Sequence, residues 1–218
     1  MKRILVITLS NIGDVLLTLP VIDILIKDFP DAELSVVTGP KPKDLLLPNP
    51  RIKNLFVYQK HQSFVQKVKW VCALRRQRFD MIVDFRNTAI PFFLYSRVRT
   101  SPILRRFPGQ HMRQQHLKRL ASIHPCSEQA FPGPALYIPP EDDHYILRIL
   151  EKNLGSQSSF VVLSPFAASY DKRWALQKFA CLADEIILRT GKSVLITGDK
   201  NDRELAQALQ GAMSHPVI

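Results

Sequence analysis

Residues 3–9 read Arg-Ile-Leu-Val-Ile-Thr-Leu, an apolar, β-branched run without polar alternation. Alternation marks a strand with one wet face, so its absence predicts a central parallel strand covered on both faces. The period then changes. Val15, Leu16, Leu19, Ile22, Ile26 and Phe29 recur at helical spacing, which predicts one helix over about residues 14–28, ended by Pro30. Residues 34–38 form a second strand candidate. A short helix through Leu45, Leu46 and Leu47 is expected to stop at Pro48, and residues 54–58 read as a third strand. Residues 64–76 predict an amphipathic helix with a basic outer face, and residues 80–85 a fourth strand. From Pro91 the pattern is less regular: a helix over 112–123, a strand over 135–138, and a helix over 141–154 after Pro139-Pro140. The alternation then resumes with a strand at 160–163, a helix at 176–190, a strand at 193–197 and a helix at 203–209; residues 216–218 are a candidate third strand.

Strand and helix alternate throughout, which places the chain in the α/β class with parallel sheets. The series restarts after residue 159, and Gly155-Ser156-Gln157-Ser158-Ser159 is the best linker. Two doubly wound domains in series are therefore expected, over residues 1–155 and 156–218. The second has only about 60 residues and two clear strands, too little to bury a full core alone. The sequence is accordingly expected to be a C-terminally truncated piece of a longer protein, with most of its second domain missing.

Composition is that of an ordinary globular protein, 46% hydrophobic and 22% charged. The charge changes the picture more. The net charge is +11, and residues 51–119 hold 16 Lys and Arg against two acids, Asp80 and Asp84. Residues 151–218 are near neutral, with eight bases and seven acids. A field this one-sided exceeds what solubility requires and attracts polyanions: nucleic acid, an anionic membrane surface or a phosphorylated glycolipid. Interleaved aromatics, RNP-like segments and helix-turn-helix signatures are absent from the basic stretch, so nucleic acid is not the expected partner. The segment 15–26 is interrupted by Pro20 and Asp23 and no apolar run is long enough to span a bilayer. The N-terminus lacks a small-residue cleavage site and reads as a buried strand. Three scattered cysteines, Cys72, Cys126 and Cys181, in no CxxC pattern, suit a reducing cytoplasm and argue against a zinc site.

Three loops carry candidate chemistry. Ser10-Asn11-Ile12-Gly13-Asp14 follows the first strand and opens a helix, the carboxyl end where open α/β sheets bind ligands. Its single glycine excludes the dinucleotide fingerprint. A carboxylate there can take the proton of a sugar hydroxyl attacking an anomeric carbon. Local physics alone favours a different role, because Asn11 with Asp14 three residues on has the spacing of a capping box. In Ser164-Pro165-Phe166-Ala167-Ala168-Ser169-Tyr170-Asp171-Lys172-Arg173-Trp174, Lys172, Arg173 and the Ser169 hydroxyl could hold a phosphate, or the loop is a solvated basic turn. Thr197-Gly198-Asp199-Lys200 suits nucleotide approach, although a plain tight turn is favoured.

In order and spacing these segments resemble the glycosyltransferase family that includes the lipopolysaccharide heptosyltransferases. The resemblance rests on Ser10-x-x-Gly13-Asp14-Val15-Leu16-x-Thr18-Leu19-Pro20, Phe29-Pro30-x-Ala32-x-Leu34, Asn49-Pro50, Phe56-Val57-Tyr58, the run from Phe79 to Arg86, Ser169-x-x-Lys172-Arg173-Trp174 and Thr197-Gly198. It covers nearly the whole chain. It implies a GT-B fold, an N-terminal Rossmann-like doubly wound parallel sheet plus the beginning of a second Rossmann-like domain. It implies inversion at the anomeric carbon with no metal and no cofactor, and Asp14 as catalytic base. Gly13, Ser169, Lys172 and Gly198 would contact a nucleotide-sugar donor, usually ADP-heptose. Ser10, Arg86, Arg113 and His116 would contact an anionic lipopolysaccharide-core acceptor at the cytoplasmic face of the inner membrane, with peripheral contact to that membrane; a histidine such as His116 is otherwise a surface or capping residue. Two departures stand out. The family's later donor loop lies beyond residue 218, and position 86 carries arginine where relatives are often uncharged. The competing expectations are a non-catalytic truncated remnant and a basic polyanion- or nucleic-acid-binding protein.

Overall fold

In the computed structural model, residues 2–101, 109–125, 136–155, 159–167 and 169–216 are described. The chain divides into two units, Met1–Pro139 and Pro140–Ile218. The division lies upstream of the 155/156 boundary expected from the Gly-Ser stretch, whose residues 156–158 fall outside the described set.

The first unit is a five-stranded sheet in the order β3-β2-β1-β4-β5. Its strands are β1 (Arg3–Ile7), β2 (Glu33–Thr38), β3 (Ile52–Val57), β4 (Met81–Asp84) and β5 (Val98–Arg99), and all pair in parallel. β1 lies at the centre, and Leu5, Val6 and Ile7 are fully buried. Side chains at alternate positions feed two cores. Ile4 and Val6 join Val36, Val83, Ile22, Leu25 and Leu120 on one face; Leu5 and Ile7 join Val37, Ile82, Leu74 and Phe79 on the other. That is why the first strand shows no polar alternation.

Seven helices accompany the described part of these strands and the start of the second unit: α1 (Ile12–Leu16), α2 (Leu19–Asp28), α3 (Lys43–Leu46), α4 (Phe64–Arg76), α5 (Ile90–Phe93), α6 (Met112–Ala121) and α7 (Pro140–Leu154). The single helix expected over 14–28 is in fact two. Pro20 has no N–H to continue the ladder and its ring crowds the preceding turn. The Thr18 hydroxyl donates to the Val15 carbonyl at 2.7 Å, and the Val21 amide restarts the helix on the Thr18 carbonyl. Pro20 thus sits in the first turn of α2, where prolines are favoured. Two short elements were not expected, α5 and β5; the Arg97 and Val98 amides donate to the Asp80 carbonyl and bring β5 to the sheet edge. No strand forms over residues 136–139, and residue 135 lies outside the described set.

The second unit holds α7, the parallel pair β6 (Phe160–Leu163) and β7 (Ser193–Ile196), and helices α8 (Leu176–Thr190) and α9 (Arg203–Gly211). α8 ends on Gly191 in the left-handed conformation, φ 64°, a conformation glycine adopts without steric cost. Ala180, Ala183, Val194 and Leu209 are its buried apolar residues, while β6 is half-exposed along its length. Residues 217 and 218 of the candidate third strand are outside the described set.

Candidate functional site

The carboxyl ends of β1, β2, β3 and β4 meet around one cleft of about 390 Å³, lined by Ser10, Asn11, Lys41, Tyr58, Lys60 and Arg86, with Pro40, Gln59 and His61 completing the wall. Three cations and no carboxylate border it. Such a cleft concentrates anionic ligands.

Two loops make it narrow. A Cβ on Gly39 would lie 2.9 Å from the Ser10 Cα and 3.2 Å from the Ser10 carbonyl oxygen, so the loops after β1 and β2 touch backbone to backbone. Sequence reading had given Gly39 no such part; a glycine directly after a strand was the available signal. Gly13, by contrast, faces open space.

Asp14 lies in the third position of α1, whose N-cap is Asn11. The expected capping box does not form. The Asn11 side chain makes no cap bond; its Nδ2 instead donates to Asp14 Oδ2 at 2.9 Å. One carboxylate oxygen is thereby held by a residue that lines the cleft, and the other remains an acceptor. This is the geometry a positioned base needs.

Arg86 is set by its neighbour. Asp84 is buried at the end of β4, and its carboxylate accepts from the Arg86 amide (2.8 Å), the Thr88 amide (2.9 Å) and the Thr88 hydroxyl (3.1 Å). Asn87 takes a positive φ of 54° inside this turn. The guanidinium of Arg86 lies over the Tyr58 ring at 4.9 Å, facing the cleft. The sequence signal for Asp84 was an acid closing an apolar strand before polar residues.

The remaining acceptor-side candidates are placed differently. His116 is 5% exposed, its ring edge-on to Phe85 at 4.7 Å, and its Nε2 is buried without a hydrogen-bond partner. Burial first, and then the Arg119 guanidinium, lower its pKa to about 4 against the opposing pull of Asp14. It is therefore a neutral core imidazole within electrostatic reach of Asp14, and neither a surface nor a capping residue. His111 is the cap: its Nδ1 accepts from the Arg113 amide at 3.3 Å. Arg113 is exposed on α6 and does not line the cleft. Arg119 spends its guanidinium on the Asp84 carbonyl (2.5 Å) and the Ser101 carbonyl (2.8 Å).

In the second unit, Ser169 caps a short 3-10 turn, Tyr170–Lys172, that ends on Lys172, and both are exposed. Arg173 is exposed as well, its Nε donating to the Ala167 carbonyl at 2.6 Å. Gly198 follows β7; a Cβ there would meet Phe166 Cδ2 at 2.5 Å. It shares a small pocket with Phe166, Asp199, Lys200 and Arg203. Asp199 and Asp202 close that loop as a capping box. Among the described residues there is no group of three or more His, Cys, Asp or Glu suited to a metal ion, and no helix long and apolar enough to cross a membrane.

No protein-family model matches the chain. Against curated proteins it is 26% identical over 232 residues to lipopolysaccharide heptosyltransferase 3 of Escherichia coli, covering 94% of this chain and 67% of that protein. The corresponding protein of strain K12 is also 26% identical, and there the chain spans 61% of its length. Among solved structures, a glycosyl transferase family 9 protein from Veillonella parvula superposes with a TM-score of 0.79 at 20% identity, covering 100% of this chain and 69% of that one. The E. coli ADP-heptose lipopolysaccharide heptosyltransferase II gives 0.73 at 21% identity, covering 98% and 69%. The fold is that of the GT-B heptosyltransferases. In sequence the chain is similar to proteins named lipopolysaccharide heptosyltransferase 3, and in fold to solved heptosyltransferases and to a glycosyl transferase family 9 protein.

Proposed function

We propose that this chain carries the acceptor side and part of the donor side of an inverting, metal-independent glycosyltransferase. It moves a heptose or similar sugar from a nucleotide-sugar donor to an anionic lipopolysaccharide-core acceptor, at the cytoplasmic face of the inner membrane. The likeness to proteins named as heptosyltransferases supports the reaction class, and a similar fold has been solved as heptosyltransferase WaaC with ADP. The observation that carries the reading is Asp14, held by Asn11, which itself lines a cleft bordered by Lys41, Lys60 and Arg86.

In this mechanism the three cations bind the acceptor's acidic groups and present one hydroxyl to Asp14. The hydroxyl oxygen attacks the donor's anomeric carbon. A carbon–oxygen bond to the acceptor forms as the bond to the donor phosphate breaks, and the nucleoside diphosphate leaves with the electron pair. The hydroxyl proton passes to Asp14. Lys172, with the Ser169 hydroxyl, stabilises charge growing on the diphosphate, and the loop at Gly198 receives the nucleotide.

The test is Asp14→Asn. Its amide keeps the size and the contact to Asn11 but cannot take a proton. Turnover should fall by roughly 10²–10⁴-fold while donor affinity, measured by calorimetry, is retained. Undiminished turnover would remove Asp14 from the mechanism.

A further inference from the structure

We propose that the corner formed by α4 and α5 is the surface with which this protein docks on an anionic lipid leaflet. The proposal rests on the acceptor reading above for its purpose, though not for its physics.

α4 starts at a fixed point. The Ser63 hydroxyl accepts from the Gln66 amide, and the Ser63 amide donates to Gln66 Oε1 at 3.0 Å, a complete capping box. One side of the helix then packs inward through Trp70, Val71 and Leu74. The other side should be polar on a soluble protein. It is not. Phe64 is 80% exposed, Val65 61% and Val68 44%, and on α5 next to it Phe92 is 56% and Phe93 60% exposed, with Tyr95 just beyond. Single exposed apolar residues are ordinary, but a cluster on two contacting helices marks an interaction surface.

Charge identifies the occupant. α4 carries Lys67, Lys69, Arg75 and Arg76, and neither α4 nor α5 contains an acid. Of the two acids nearby in sequence, Asp84 is bound up in its own turn, and Asp80 holds the Arg3 amide at 3.0 Å and Arg97 at 3.7 Å. Aromatic and aliphatic side chains ringed by unopposed cations are the composition of an interfacial helix on anionic lipid. The same uniform positive sign opposes a symmetric pairing of this face with a second copy.

The corner also has depth. Between α4, α5 and the sheet lies an apolar pocket of about 280 Å³, walled by Ile7, Val37, Trp70, Val71, Ile90 and Phe93. It shares Tyr58 and Arg86 with the basic cleft. A leaflet meeting this corner would therefore deliver an acceptor's anionic head beside Asn11 and Asp14. Docking here confers proximity to a lipid-borne substrate without adding a contact at the reacting atoms.

The experiment is co-sedimentation with vesicles of phosphatidylcholine alone and of an equimolar mixture with phosphatidylglycerol. The protein should pellet with the mixed vesicles, be released by high salt, and stay in solution with phosphatidylcholine alone. The triple variant Phe64→Ser/Val68→Ser/Phe92→Ser and the charge variant Lys69→Glu/Arg76→Glu should each lower partition into mixed vesicles at least tenfold, on the order expected for two or three interfacial residues. Circular dichroism melting of the variants confirms that the fold is intact. Turnover on a deacylated, water-soluble acceptor should be unchanged in both. Asp14→Asn should pellet as the unaltered protein does, so vesicle binding and turnover fail separately. Equal binding to neutral vesicles overturns the proposal, as does full binding by either variant. So does a lipid-free dimer that the serine variant abolishes, which would assign the face to a second copy.

Discussion

The two units of this chain place candidate ligand loops on frameworks of very different solidity. In the first, the loop after β1 hangs from a central strand buried on both sides and flanked by β2 and β4. In the second, the loops after β6 and β7 hang from two strands paired only with each other, with β6 half-exposed. The placement of the candidate residues differs in parallel. The first unit gathers Ser10, Asn11 and Arg86 into one cleft, with Asp14 tied to Asn11. The second leaves Ser169 and Lys172 exposed and separate from the pocket beside Gly198. Precise placement of charge is a property of buried frameworks, because packing locks the rotamers that hold it.

The largest test of this contrast is core truncation. Ile82→Ala removes a fully buried side chain between β4 and the α4 face and should cost about 2–5 kcal/mol. Val161→Ala in half-exposed β6 should cost about 1 kcal/mol. Each unit carries one tryptophan, Trp70 and Trp174, so single-tryptophan variants can follow the two denaturant transitions separately. Equal losses, or a single shared transition, would break the comparison.

A smaller test uses pH and stays within the first unit. His116 is neutral when folded, with a pKa lowered to about 4 by burial and by Arg119 against the opposing pull of Asp14. Unfolded, it titrates near 6.5, so between about pH 6.5 and 4 the unfolded chain binds the extra proton and stability falls with falling pH, by about 3 kcal/mol in full. Asp23 has the opposite sign. Burial raises its pKa to about 6, and one of its oxygens is buried without a partner. Between about pH 6 and 3.8 the folded state binds the extra proton, so this residue adds stability as pH falls, by roughly 1–3 kcal/mol. Relative to the unaltered protein, His116→Leu should therefore gain stability on acidification and Asp23→Asn should lose it, read as melting temperature from pH 7 to pH 4. Parallel slopes for the two variants would contradict the burial of one or both groups.

Sequence made the long elements legible because each carried a whole period of pattern. α4 matched residue for residue, since Ser63 and Gln66 fix its start and the apolar spacing runs through Leu74. The break at Leu17 and Thr18 was missed because the apolar spacing continues across it; only Pro20, taken as an interruption rather than a first-turn residue, marked it. β5 was missed because two residues carry no period, and its place is dictated by the Asp80 carbonyl. At the site, Asp14 was legible as an acid in the loop after the first strand, whereas Ser10 and Arg86 entered only through the family resemblance. Gly39's contact with Ser10 was not legible, because it depends on which loops the sheet order makes neighbours. Asn11's grip on Asp14 and the Asp84 turn are local, but spacing alone does not say which of several bonds, from side chain to main chain or to side chain, will form.

The finest test compares the two glycines that follow strands. In Gly39→Ala the new methyl would meet backbone, the Ser10 Cα at 2.9 Å and carbonyl oxygen at 3.2 Å, so the loop after β1 must shift as a piece. In Gly198→Ala it would meet the Phe166 ring at 2.5 Å, and that half-buried side chain can turn outward. Overpacking against either should cost about 1–3 kcal/mol, with Gly39→Ala at the upper end and Gly198→Ala at the lower. The discriminating measurement is a double variant. Phe166→Ala should restore most of what Gly198→Ala loses, because it removes the obstacle. Ser10→Ala should restore nothing to Gly39→Ala, because the obstructing atoms belong to the main chain and survive the substitution. Rescue by Ser10→Ala would mean that the two loops meet through side chains, and the rigid cleft attributed to the first unit would lose its cause.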